Sequence, residues 1–125
     1  MKKNLLGSTL LLVLFVMMQS CQKEIQSEII KEVTIDTTIT AGSDYLLNLA
    51  PYGDEGNIAT ILDKGNNSSV SELENETDMF TTVYHYKADS KIQGADRVVL
   101  SISQNPQGRQ CSKDSTIIYI NFTIK

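Results

Sequence analysis

From Glu32 onward, apolar residues recur at every second position, and that period dominates the chain. Val33, Ile35, Thr37 and Ile39 fall on one side of an extended backbone, with Thr34, Asp36 and Thr38 on the other, as in a half-buried strand. Ala41-Gly42-Ser43-Asp44 supplies turn residues, and Tyr45, Leu47 and Leu49 open a second strand. Pro51 to Gly56 breaks it, Ile58 to Leu62 reads as a third strand ending at Asp63-Lys64-Gly65-Asn66-Asn67, and a weaker one covers Ser69 to Leu73. Met79 to Tyr86 alternates again, as do Val98, Leu100 and Ile102. Thr116 to Ile124 puts Ile118, Ile120, Phe122 and Ile124 on one face and turns Tyr119, Asn121 and Thr123 outward. The piece Ile25 to Lys31 is ambiguous, because Ile25 and Ile29 sit at helical spacing yet flow into the first strand. Short strands with turns every eight to twelve residues, and no long helical pattern, predict an all-β sandwich of about seven strands.

The first 20 residues follow a different rule. Lys2 and Lys3 precede the apolar run Leu5 to Met18, and small Ser20 stands just before Cys21. The run is short for a spanning helix, which needs roughly 20 apolar residues, and the three parts together read as a secretory signal peptide, residues 1–20.

Ser20-Cys21 at the end of such a run resembles the lipobox of bacterial lipoproteins, in which a diacylglycerol is attached to the thiol before a peptidase cuts on its N-terminal side. Met18 and Gln19 stand where the usual box has Leu and a small residue. The resemblance covers the first 23 or so positions and implies lipidation at Cys21, no transmembrane helix in the mature protein, and a tether over residues 21–31. The alternative is ordinary secretion, leaving Cys21 a plain thiol. Gln22-Lys23-Glu24 is similar to a Lys-then-acid signal that sends some Gram-negative lipoproteins to the outer face of the outer membrane; the alternative is a solvated linker.

Tyr86, Gly94, Asp96 and the alternating Val98, Leu100 and Ile102 resemble the end of bacterial immunoglobulin-like and cadherin-like domains. Ala88, Ile92 and Ala95 replace that pattern's Pro, aromatic residue and Thr. The resemblance implies an immunoglobulin-like antiparallel β-sandwich over residues 32–125 and is silent on activity. The residues give their own reasons: Gly94 can take positive φ between strands, and Asp96 can accept hydrogen bonds from turn amides.

Composition narrows the function classes. Of 11 basic residues, Lys2 and Lys3 leave with the signal, so 9 face 15 acidic ones and the mature part carries a net −6. An acidic domain has no electrostatic grip on a phosphate backbone, which argues against nucleic acid as a partner. About 100 residues make one domain. With Cys21 lipidated, Cys111 has no intramolecular disulfide partner; it is either a small buried residue or a reactive or cross-linking thiol, and polar neighbours favour partial exposure.

Candidate chemistry is sparse. His85 is the lone histidine, between two tyrosines in a predicted strand, and is expected to be a half-buried strand residue rather than a metal ligand or base. No zinc cluster, nucleophile–base pair, phosphate loop or Ser elbow is visible, so no catalytic residue, enzyme activity or cofactor is expected. Glu72, Glu74, Glu76 and Asp78 recur every second position and would share one face of an extended backbone. That stripe is a weak Ca²⁺ candidate or, more commonly, a solvated edge. The long loop from Gln104 to Ser115, with Asn105, Pro106, Arg109 and Cys111, is the leading partner-contact candidate.

Three function classes follow. The first is a non-enzymatic binding or adhesion module of the envelope, anchored to the outer membrane and exposed on the surface, with an unidentified protein or glycan partner. The second is a small protease inhibitor using the 104–115 loop, and the third, for want of a constellation, an enzyme.

Overall fold

The structure, a computed structural model, describes residues 29–104 and 114–125. It holds seven strands: β1 (Ile30–Ile39), β2 (Asp44–Asn48), β3 (Asn57–Asp63), β4 (Ser68–Glu74), β5 (Val83–Ala88), β6 (Gly94–Gln104) and β7 (Ser115–Ile124), with one 3₁₀ turn at Ala50–Tyr52. Among the described residues no helix is long and apolar enough to cross a membrane. The strands form two sheets, ordered β1-β7-β6-β3 and β2-β5-β4. This is the all-β, seven-strand sandwich that the alternation predicts. The signal segment, Cys21 and the loop residues Asn105, Pro106, Arg109 and Cys111 lie outside the described residues.

The core lies between the two inner faces. Tyr84, Tyr86 and Ala88 of β5 meet Val98, Leu100 and Ile102 of β6 and Ile118, Ile120, Phe122 and Ile124 of β7, with Leu49 and Met79 filling one end. Phe122 stacks on Tyr86 at 4.0 Å between centroids and meets Tyr45 edge-on at 5.2 Å. These offset and edge-to-face arrangements suit the aromatic quadrupole.

Four of the five strand pairings are antiparallel; β1 pairs with β7 in parallel, from Ile30 opposite Ser115 to Ile39 opposite Ile124. The sandwich is thus antiparallel except at this one pairing, which local patterning does not reveal. A parallel pair needs a long crossover, and here the whole domain between the first and last strands supplies it. The strand also starts at Ile30, two residues inside the segment read as tether.

A second difference concerns the stretch from Met79. The alternation continues on paper, but β5 begins only at Val83. Asp78 accepts the Phe80 N–H at 2.9 Å, and Thr82 Oγ1 donates to the carbonyls of Asp78 at 2.8 Å and Asn75 at 3.1 Å. Short polar side chains have closed a turn where the sequence period reads strand.

The register gives the sandwich two poles. At the N-terminal pole stand Ile30, Asn48, Asn57, Glu74, Gln104 and Ser115; at the distal pole stand Ile39, Asp44, Asp63, Ala88, Gly94 and the C-terminal Lys125. β1 has 10 residues, so the poles are roughly 33 Å apart at about 3.3 Å per residue.

Candidate functional site

At the distal pole, Asp96 is the buried polar hub. Its carboxylate accepts from the amides of Asn66 at 2.9 Å and Asn67 at 3.1 Å, from the Arg97 amide at 3.0 Å, and from the Tyr86 hydroxyl at 2.6 Å. The sequence reading of Asp96 as an acceptor for turn amides is thereby met, and Gly94 does adopt positive φ, +130°. Gly65, at φ +75°, also passes so close that an added Cβ would lie 2.5 Å from Asp96 Oδ2. Burial first, then the Asp96 bond, pushes the Tyr86 phenol far above its ordinary range. Burial likewise raises Tyr84, to about 12, against the opposing bond from Ser71 at 2.6 Å. This hub is structural: its polar atoms are turned inward.

The outer face of the three-stranded sheet is different. Alternation brings Asp44, Leu46 and Asn48 of β2, Val83, His85 and Lys87 of β5, and Val70, Glu72 and Glu74 of β4 to one surface, with His85 at its centre. His85 Nε2 lies 2.7 Å from Asp44 Oδ1 and its Nδ1 lies 2.8 Å from Glu74 Oε1. The imidazole therefore ties three strands together on the solvent side. Its side chain is 20% exposed, the half-buried strand placement expected of it.

The acidic stripe does not survive as expected. Glu72 and Glu74 share the face, but Asn75 turns the chain at φ +59° and Asp78 is engaged in the next turn, so Glu76 and Asp78 leave the row. The structure replaces them with His85: one donor atom each from Glu72, Glu74 and His85 lies within 4.8 Å of the others. Nothing in sequence spacing brings Asp44 and His85 together, since they are 41 positions apart.

The two contacts raise the His85 pKa, the Asp44 bond most, with burial opposing and Glu74 assisting, and the same bond lowers the Asp44 pKa. A raised histidine contributes stability below its unfolded value near 6.5, lost as pH rises through the folded value; a lowered Asp contributes above 3.8, lost as pH falls through its folded value. The clasp thus works best between those two limits. In metal-free buffer, wild type should lose about 2–4 °C of Tm relative to His85→Gln as pH rises from 6 to 8, the scale of a solvent-screened ion pair in a domain this size. Parallel melting curves for the two proteins across that range would sink the clasp.

The predicted contact loop springs from the opposite end of the sheets. Its feet, Gln104 and Asp114, border a cleft of about 360 Å³ with Pro51, Tyr52, Asp54 and Thr116 at the N-terminal pole. The loop itself lies outside the described residues.

No family model and no curated protein matches this chain. Among solved structures it is similar to a nucleoside hydrolase-related hypothetical protein from Saccharophagus degradans that is associated with carbohydrate metabolism. There the identity is 10% and the TM-score 0.48, over 74% of this chain but only 22% of that one. It is also similar to a cysteine protease inhibitor from Entamoeba histolytica, with 14% identity and a TM-score of 0.35 over 78% of this chain and 97% of that one. Likeness at this level does not carry what those proteins do over to this one.

Proposed function

We propose that this chain is a lipid-anchored, non-enzymatic display module on the surface of a Gram-negative outer membrane, held at Cys21 and offering its distal pole to a protein or glycan partner. One observation carries the reading. The chain enters the sandwich at one pole, while the connections 40–43, 64–67 and 89–93 and the C-terminus all project from the other. Nine steps of chain from Cys21 to Ile30 reach at most about 30 Å, so the N-terminal pole is held within that distance of the bilayer while the distal pole can reach further out.

Charge follows the same axis. The distal half sets Lys64, Lys87, Lys91, Arg97 and Lys125 against Asp36, Asp44, Asp63, Asp89 and Asp96 and is close to neutral, whereas Asp54, Glu55, Glu74, Glu76, Asp78 and Asp114 gather at the N-terminal pole with Lys31 among the described residues. On this reading the described feet of the 104–115 loop, Gln104 and Asp114, stand on the anchor side, and the distal turns become the contact surface.

In a Cys111→Ser background, Lys91→Cys at the distal pole and Glu55→Cys at the N-terminal pole can be compared with a bulky, membrane-impermeant maleimide on intact cells. Both positions are exposed. Labelling of Lys91→Cys at least about tenfold faster, converging after detergent solubilisation, is the expected result. Equal rates would remove the orientation argument, and labelling of neither until cells are lysed would place the domain on the periplasmic side.

A further inference from the structure

We propose that Glu72, Glu74 and His85 bind a divalent transition-metal ion, Zn²⁺ above all, on the outer face of the three-stranded sheet, with Asp44 fixing the imidazole from behind. The proposal stands independently of how the chain is anchored.

The first argument is proton count. A neutral imidazole has one N–H, yet both ring nitrogens touch carboxylates, Nε2 at 2.7 Å and Nδ1 at 2.8 Å. In the imidazolium both contacts are N–H donations; once the ring is neutral, one of them sets lone pair against lone pair unless a cation takes the proton's place. With Nε2–H donated to Asp44, the Nδ1 lone pair points at the Glu72–Glu74 pair, where a metal ion serves in place of a second proton.

The second argument is the part played by Asp44. It comes from β2, outside the ligand set, and holds the nitrogen that does not face the glutamates. Carboxylates behind metal-ligating histidines do this, fixing tautomer and ring orientation.

Charge and geometry agree. The groups facing His85 are Asp44 on β2, Lys87 on its own strand, and Glu72 and Glu74 on β4; their neighbours Leu46, Asn48, Val70 and Val83 are uncharged. Three carboxylates against one ammonium leave −2 around a neutral ring, which a dication balances. Glu72 lies directly opposite His85 in the register, and the three donor atoms fall within 4.8 Å of one another. Ligand atoms around a tetrahedral Zn²⁺ stand about 3.4 Å apart, so side-chain rotation must open the 2.8 Å Nδ1–Glu74 contact slightly and bring Glu72 inward. One nitrogen and two carboxylates suit Zn²⁺ and its transition-metal neighbours; Ca²⁺ takes six to eight oxygens, and the two glutamates of the ligand set supply at most four. The remaining coordination position opens to solvent.

The test is calorimetric titration of the full chain, purified in detergent without a histidine tag, stripped with EDTA, in the Cys111→Ser background so that no free thiol at 111 competes. One Zn²⁺ per chain with a micromolar Kd is expected. His85→Gln and Glu72→Gln should weaken it about 100-fold, and Asp44→Asn about tenfold, the scale of an outer-shell loss. Glu55→Gln at the N-terminal pole should leave it unchanged, and Ca²⁺ should not compete. Far-ultraviolet dichroism and Tm establish that each variant is folded. Absence of Zn²⁺ uptake, unchanged affinity in folded His85→Gln, or equal competition by Ca²⁺ would each overturn the assignment and leave His85 a proton-held tie.

Discussion

Asp96→Ala should leave the domain unfolded or barely stable at 37 °C. The carboxylate is 8% exposed and receives the Tyr86 hydroxyl and the amides of Asn66, Asn67 and Arg97. Removing it strands a hydroxyl in the core and takes away two of the bonds that tie the β3–β4 turn to β6, leaving the Asn67 Nδ2 bond to the Ala95 carbonyl. A buried donor left without a partner costs about 1–3 kcal/mol, and a hydrogen bond to a charged group contributes about 1.5–3 kcal/mol, four of which go with the carboxylate. Against a total stability of about 5–15 kcal/mol that is decisive, and it corresponds to a Tm fall of about 15–30 °C. Urea unfolding should show a lower midpoint at unchanged slope. Combining it with Tyr86→Phe should cost less than the sum of the two, because the stranded hydroxyl is gone. A loss below about 1 kcal/mol would mean that the turn closes without the hub.

Cys21→Ser should abolish membrane association altogether while leaving the melting temperature of the domain unchanged. Each buried methylene holds about 0.8 kcal/mol, so two or three acyl chains on one residue anchor durably and a hydroxyl anchors nothing. Among the described residues the first strand begins at Ile30, nine positions on. Mass spectrometry and membrane fractionation of wild type and variant expressed in a Gram-negative host decide the matter. A lipid-sized increment present only in wild type, with the variant leaving the membrane fraction, is expected. An unlipidated soluble wild type would overturn the anchoring reading and restore Cys21 as a partner for Cys111.

Strand positions and inward faces were readable because one buried face forces a period of two. Ile118, Ile120, Phe122 and Ile124 are buried and Tyr119, Asn121 and Thr123 turn away from the core, as their alternation requires. Gly94 and Asp96 were readable because backbone conformation and turn capping restrict residue type. The turn at Met79–Thr82 was not: its side-chain bonds to Asp78 and Asn75 override a period that runs straight through it. Nor was the face around His85, since sequence gives which side of a strand a residue occupies but not which strand lies beside it. Asp44 and Glu74 reach the same ring only because β5 is the middle strand. The sequence row of four acids fails for the complementary reason, that one residue in left-handed conformation, Asn75, ends the strand.

The parallel pairing of β1 with β7 has a mechanical consequence. Traction between the point where the chain enters the domain at Ile30 and the C-terminal Lys125 runs along both strands in opposite directions. It loads their whole ten-position ladder in shear, so the rungs must yield together. An antiparallel pair pulled from adjacent ends would unzip one rung at a time under a far smaller force. Force applied between Ile30 and Lys125 therefore meets this ladder in shear rather than in peeling.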